Sequence, residues 1–110
     1  MDVVISRSGF QSLRLLKSYM RLFLDEPQLN QLMEQLVNET TEKIKLVAER
    51  AVCPELSSIG IFDYRQLNLL NKYKVLFRYE KHTNQAFIVA FMRQNQSAAK
   101  LFADLTSLSS

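Results

Sequence analysis

Between residues 29 and 51 the side chains Leu29, Met33, Leu36, Thr40, Ile44, Val47 and Ala51 recur at spacings of four and three residues. Such steps return to one side of a helix with 3.6 residues per turn. The stretch therefore predicts one long amphipathic helix whose apolar seam must lie on another surface. Asp25-Glu26-Pro27 marks its start, since proline is tolerated in a first turn where its missing N–H costs nothing, and Pro54 is expected to end it.

The flanking segments supply that surface. Val3-Val4-Ile5 is short and β-branched and reads as a first strand. Ser6 or Ser8 can cap a following helix, on which Leu13, Leu16, Met20, Phe23 and Leu24 form one stripe that Leu15, Tyr19 and Leu22 widen. Only a short linker separates the two helices, so they are expected to fold back as a hairpin. After the loop CPELSSIGIFD come three strand candidates at residues 64–70, 73–80 and 86–92, joined by Asn71-Lys72 and by a polar turn at residues 81–85, and then a short helix at 96–105. The frame is α+β: an N-terminal strand and a helical hairpin packed on a three- to four-stranded antiparallel sheet, with a short C-terminal helix. Alternation puts Tyr73, Val75, Phe77 and Tyr79 on a packed face and Lys74, Leu76 and Arg78 on a charged one. Val75, Phe77, Phe87, Val89 and Phe91 are core candidates.

At 110 residues the chain is expected to form a single domain, 1–110. No apolar run reaches the roughly 20 residues of a membrane span, and the first residues lack the pattern of a secretory signal, so a cytoplasmic protein is expected. Cys53, alone, is expected to be a small buried hydrophobe. Gly9 and Gly60 stand apart, which excludes a glycine-rich phosphate loop. His82 lies in a polar turn, which argues against a histidine triad or zinc site, and Glu39 and Glu42 beside Lys43 and Lys45 read as a solvated helix face. No cofactor and no metal are expected.

The net charge of +3 is unevenly spread: residues 61–100 hold seven basic side chains against two acidic ones. Arg65, Lys72, Lys74, Arg78 and Arg93 interleave with Tyr64, Tyr73 and Tyr79 there. Such a group suits an acidic partner. On RNA it could hold a scissile phosphate and stabilise the charge developing on it.

The run DYRQLNLLNKYKVLFRYE, a polar turn and QAFIVAFMRQNQSAAKLF resembles the C-terminal half of the RelE/ParE superfamily of bacterial toxins, and the order of elements is similar along most of the chain. The resemblance implies the toxin of a type II toxin–antitoxin pair, neutralised by a cognate antitoxin in a possible hetero-oligomer, with Leu15, Tyr19 and Leu22 as antitoxin-binding candidates. RelE-like members cut messenger RNA on the ribosome; ParE-like members poison DNA gyrase. By position Lys74 and Arg93 match two ribonuclease cations and Arg65 matches a lysine, which makes these three the catalytic candidates if the chain is a ribonuclease. A second lysine falls on Leu67, and the stretch where a tyrosine is expected reads Ala98-Ala99-Lys100-Leu101-Phe102. With the long second helix, these departures favour gyrase, bound through Lys72, Lys74, Arg78 and Arg93. The alternatives are the ribosome-dependent mRNA endonuclease and, in another class, a non-toxic protein-binding module.

Overall fold

The computed structural model describes residues 1–61 and 63–108, leaving aside the side chains of Phe102 and residues 105–108. The Phe102 side chain, on which a sequence expectation fell, lies outside what is described. The elements are β1 (Asp2–Ile5), α1 (Arg7–Met20), α2 (Glu26–Val47), α3 (Pro54–Ser57), β2 (Tyr64–Leu69), β3 (Tyr73–Glu80), β4 (Gln85–Arg93) and α4 (Ala98–Leu108). One sheet runs in the order β1-β4-β3-β2, with β2, β3 and β4 antiparallel and β1 parallel to β4. Among the described residues no helix is long and apolar enough to cross a membrane.

The expected α+β frame is present, and its local causes are visible. Ser6 caps α1 by accepting from the Gly9 N–H at 3.1 Å. Asp25 and Gln28 close a reciprocal capping box at the start of α2, each side chain accepting from the other's backbone N–H. The predicted seam of α2 is the buried one: Leu29, Met33, Leu36, Thr40 and Ile44 pack in the core with Leu16 of α1 and with Val75, Phe77, Ile88 and Phe91 of the sheet.

Between α1 and β4 the backbones come close. β1 bonds to β4 only from Gln85 to Ile88, which leaves the rest of that edge of β4 unpaired. The serines of α1 take over where β1 stops. Ser6 donates from its N–H and its hydroxyl to the Ile88 carbonyl, and Ser8 donates to the Val89 carbonyl at 3.0 Å. The buried Ser12 hydroxyl accepts from the Phe91 N–H at 2.8 Å while donating to the Gly9 carbonyl. Gly9 permits the approach, since a Cβ there would meet the Ile88 carbonyl oxygen and Ile5 Cγ2 inside van der Waals contact.

Four features differ from the sequence reading. α2 ends at Val47, and Pro54 opens α3 instead of closing α2, the same first-turn tolerance that Pro27 uses. The parallel β1–β4 pairing makes the sheet mixed, because two intervening helices return the chain to the same end of the sheet. A register irregularity at Leu76/Phe77 shifts the pairing with β4, so Ala86, Ile88 and Ala90 are buried while Phe87 and Val89 are half-buried. Finally, the face assigned to charge is covered: α3 and α4 bury Leu76, Ala90 and Met92 together with Cys53 and Leu56 in a second core.

Two substitutions test this packing by chemical denaturation. Phe77→Ala, at a fully buried site, should cost about 3–5 kcal/mol, and an unchanged midpoint would contradict the assignment. Ser12→Ala should cost about 1–3 kcal/mol by leaving the buried Phe91 N–H without an acceptor, against a few tenths for Ser18→Ala on the exposed face of the same helix.

Candidate functional site

The sheet register distributes the cations singled out by sequence. In antiparallel pairs, residues directly opposite share a face. Arg93 pairs with Tyr73, and Arg65 with Phe77, so both belong to the face under α1 and α2. They lie four residues apart along β3, roughly 13 Å at the rise of a strand. Lys74 pairs with Asn68 and Met92 on the other face. Arg65, Lys74 and Arg93 are therefore not brought together. Arg65 is half-buried, and its Nε has no hydrogen-bond partner among the described residues. Arg78 is exposed and paired with Glu80 at 2.9 Å.

Lys74 is only 5% exposed, beneath α3 and α4. Its Nζ donates to Glu55 Oε1 at 3.1 Å, and the other oxygen of Glu55 accepts from the Ser97 hydroxyl at 3.0 Å and the Ala99 N–H at 3.3 Å. One carboxylate thus joins α3, β3 and the start of α4. Burial works to raise the Glu55 pKa. The Ala98 N–H, the Lys74 ammonium, the Ala99 N–H and the Ser97 hydroxyl outweigh it and hold the group down at about 2, from an ordinary 4.5. A carboxyl with a depressed folded-state pKa contributes stability that is complete above its unfolded value and lost as the pH falls through its folded one. The loosening of α4 from this source belongs between pH about 4.5 and about 2.

A different set of residues does converge. Tyr19, Met20 and Phe23 at the end of α1, Asn71, Lys72 and Tyr73 at the β2–β3 turn, and Arg93, Gln94 and Asn95 after β4 line an open hollow of about 570 Å³. The Arg93 guanidinium carbon lies 3.9 Å from the centroid of the Tyr19 ring, a cation–π contact, and the Tyr19 and Phe23 rings are 5.5 Å apart and tilted. Leu70 and Asn71 both have positive φ, which turns the chain so that Lys72 is exposed at the rim. The Gln94 N–H donates to the Lys72 carbonyl at 2.8 Å and ties this turn to the end of β4. Burial pushes the Tyr73 phenol up, so it stays protonated, directed at the Met20 sulfur at 3.9 Å. No carboxylate among the described residues lines the hollow, and Lys72 and Arg93 have no acidic partner among them.

Of the sequence candidates, this hollow gathers Lys72, Arg93 and Tyr19. Leu15 borders a smaller hollow next to it, and Leu22 is exposed on the same helix end. Phe23, assigned by sequence to the packed stripe, is 64% exposed and lines the hollow instead, because α1 ends at Met20 and the chain turns before it. Asn71 falls in the turn expected at Asn71-Lys72, and Gln94 and Asn95 fall in the polar stretch between the last strand and the last helix, where no sequence signal marks them as part of a site. Glu55 was missed, although Pro-Glu is a helix-opening pair that puts a carboxylate where backbone donors are free.

No family model matches the chain, and no curated protein matches it. Among solved structures it is similar to the isolated E. coli RelE toxin, with a TM-score of 0.48 and 15% identity over 96% of this chain and 97% of that one. A conserved hypothetical protein from Helicobacter pylori has a TM-score of 0.42 and 17% identity, over 92% and 98% of the two chains. An E. coli RelE mutant in complex with an antitoxin RelBc peptide has a TM-score of 0.43 and 12% identity, over 94% and 92%.

The Glu55–Lys74 pair yields a test. Glu55→Gln should loosen α4, seen as faster amide exchange at its first turn, and should destabilise the fold because Lys74 keeps a buried charge without its partner. Lys74→Met should be close to neutral, since an apolar side chain of similar volume suits the site. Equal destabilisation by the two would contradict this account.

Proposed function

We propose that the chain is the toxin of a type II toxin–antitoxin pair of the RelE/ParE kind, held in check by a cognate antitoxin, and that it acts on messenger RNA at the ribosome. The toxin class rests on the sequence resemblance across residues 62–102. One observation carries the choice of target: the hollow at the end of α1 combines three aromatic rings, two cations that have no acidic partner among the described residues and three side-chain amides, and no carboxylate among the described residues lines it. Those are the elements that single-stranded nucleic acid requires. Tyr19 and Phe23 offer faces for a base, Asn71, Gln94 and Asn95 offer donors and acceptors to its edge, and Lys72 and Arg93 meet the phosphate.

In this reading Arg93 stabilises the charge that develops on the scissile phosphate. Tyr73, buried and protonated, keeps the floor of the site in place and takes no proton. A second reading, inhibition of DNA gyrase, is favoured by a different observation: Arg65, Lys74 and Arg93 do not form the single cluster that the ribonuclease resemblance implies. In that case exposed cations such as Lys72 and Arg93 serve only as a docking surface.

Purified protein should be given programmed ribosomes and, separately, gyrase with relaxed plasmid and ATP. The expected result is cleaved messenger RNA with supercoiling untouched, a loss of on the order of 10²–10³-fold in cleavage rate for Arg93→Ala, and a smaller loss for Lys72→Ala. Inhibited supercoiling with intact RNA would overturn the RNA reading in favour of gyrase. A protein inert in both assays would be a non-toxic binding module.

A further inference from the structure

The helical hairpin carries its charge in two blocks. Residues 3–24 hold Arg7, Arg14, Lys17 and Arg21 and no acidic side chain, while residues 25–42 hold Asp25, Glu26, Glu34, Glu39 and Glu42 and no basic one. The first block, +4, lies on α1 and its C-cap; the second, −5, lies on α2 and its N-cap. Among the described residues only Arg21 and Glu26, beside the connecting turn, pair across the two helices, at 3.2 Å. Arg7, Arg14, Glu34 and Glu42 are exposed and have no oppositely charged partner among the described residues. Arg7, Phe10, Gln11 and Arg14 also line an open hollow of about 480 Å³, where the Phe10 ring is 52% exposed.

Like charges along one helix repel, so a partner that relieves both helices at once must be acidic over α1 and basic over α2. RNA would suit α1 and be repelled by α2. A second copy of the hairpin meets both conditions when its helices are exchanged. Two hairpins stacked face to face can be related by a two-fold axis across the helices or along them. The first sets α1 on α1 of the other copy, cation against cation. The second sets α1 on α2 of the other copy and keeps every residue at its own level along the axis. Those levels follow from the structure. β2 and β4 run the same way, α1 follows β4 from Ile88 towards Arg93, and α2 runs against β2, Lys43 meeting Asn68 before Ala51 meets Gln66, so the two helices are antiparallel. From the Arg21–Glu26 pair, Arg14 and Glu34 lie about 10 and 12 Å back along their helices, and Arg7 and Glu42 about 21 and 24 Å. Cations and carboxylates therefore stand level along the whole hairpin.

We infer that the outer face of the hairpin is a self-association surface. Two copies pack about a two-fold axis along the helices, α1 of each on α2 of the other, with Arg14 facing Glu34 and Arg7 facing Glu42 of the second copy. Carboxylates of the second copy enter the hollow between Arg7 and Arg14, and the contact covers the Phe10 ring. An interface held by exposed charges gains its selectivity from their pattern and little affinity from each pair, so the dimer is weak and salt dissolves it. The surface uses none of the residues that line the hollow at the end of α1, and the RNA reading neither supports nor requires it.

Sedimentation equilibrium of the purified chain reads the association, at up to about 0.5 mM protein so that a dimer of sub-millimolar affinity is populated. The dimer should form at about 50 mM salt and be lost at about 500 mM, where charges are screened within roughly 4 Å. Arg14→Glu and Glu34→Arg, both at exposed positions and checked for an unchanged melting temperature, should each weaken self-association roughly tenfold or more. Mixed together, the two variants should associate again, because in the mixed dimer every contact between positions 14 and 34 joins opposite charges. A dimer indifferent to salt, one unaffected by Arg14→Glu, or a mixture of the variants that stays monomeric would overturn the inference. A wild type that is monomeric at the lower salt would overturn it too. If in that case Arg14→Glu also loses affinity for a single-stranded RNA decamer, the cations of α1 form a nucleic-acid surface instead.

Discussion

Everything on the hairpin side of the sheet depends on how α1 is seated against β4. β1 is too short to pair with the whole of that strand, and an edge left open inside a core would strand backbone groups away from water. Ser6, Ser8 and Ser12 bond to the open edge at Ile88, Val89 and Phe91, and Gly9 removes the one Cβ that would hold the helix off. The hydrogen bonds fix the axis of the helix as well as its distance. Two turns beyond Ser12, that axis brings Tyr19 over Arg93 at the end of the same strand. The Tyr19–Arg93 contact that walls the hollow is thus a consequence of how the backbone of β4 is satisfied.

The opposite face follows a different logic. There the strand cation Lys74 is neutralised under a cover of two helices, and the Glu55 carboxylate that neutralises it also receives the first turn of α4. Removing the carboxylate leaves a buried ammonium uncompensated, whereas Glu55 is more exposed and keeps its donors at Ser97 and Ala99 when Lys74 is lost, so the carboxylate is the fastening for α3 and α4. Charge in this chain therefore has two uses. Lys74 is structural, while Lys72 and Arg93, two residues or one strand away, are left with no acidic partner among the described residues.

Much of this was readable from residue patterns, for a physical reason. The seam of α2 and the core face of β3 are periodic because burial selects one side of a regular element, and Leu29, Met33, Leu36, Ile44, Val75 and Phe77 all lie where their spacing put them. Alternation alone could not separate a solvated lysine from one paired with a carboxylate 19 residues upstream, so Lys74 and Leu76 were assigned to an open face. Nor could it anticipate α3, a four-residue helix whose only signal is Pro54-Glu55. The hollow was illegible for another reason: it is assembled from a helix end, a turn and a strand end that lie between residues 19 and 95, and no local pattern records their meeting. Tyr19 and Arg93 were each picked out, for different partners, without a sign that they touch.

The central claim is that the cations of the hollow, Lys72 and Arg93, meet phosphate. The most direct measurement is the affinity of a short single-stranded RNA for the wild type and Lys72→Gln across a range of salt concentrations. Phosphate contacts release counterions, so log affinity should fall linearly with log salt, and losing one contact should reduce the slope by about 0.7. A shallower slope in the variant is the predicted result. An identical slope in the two proteins, or an affinity indifferent to salt, would contradict it.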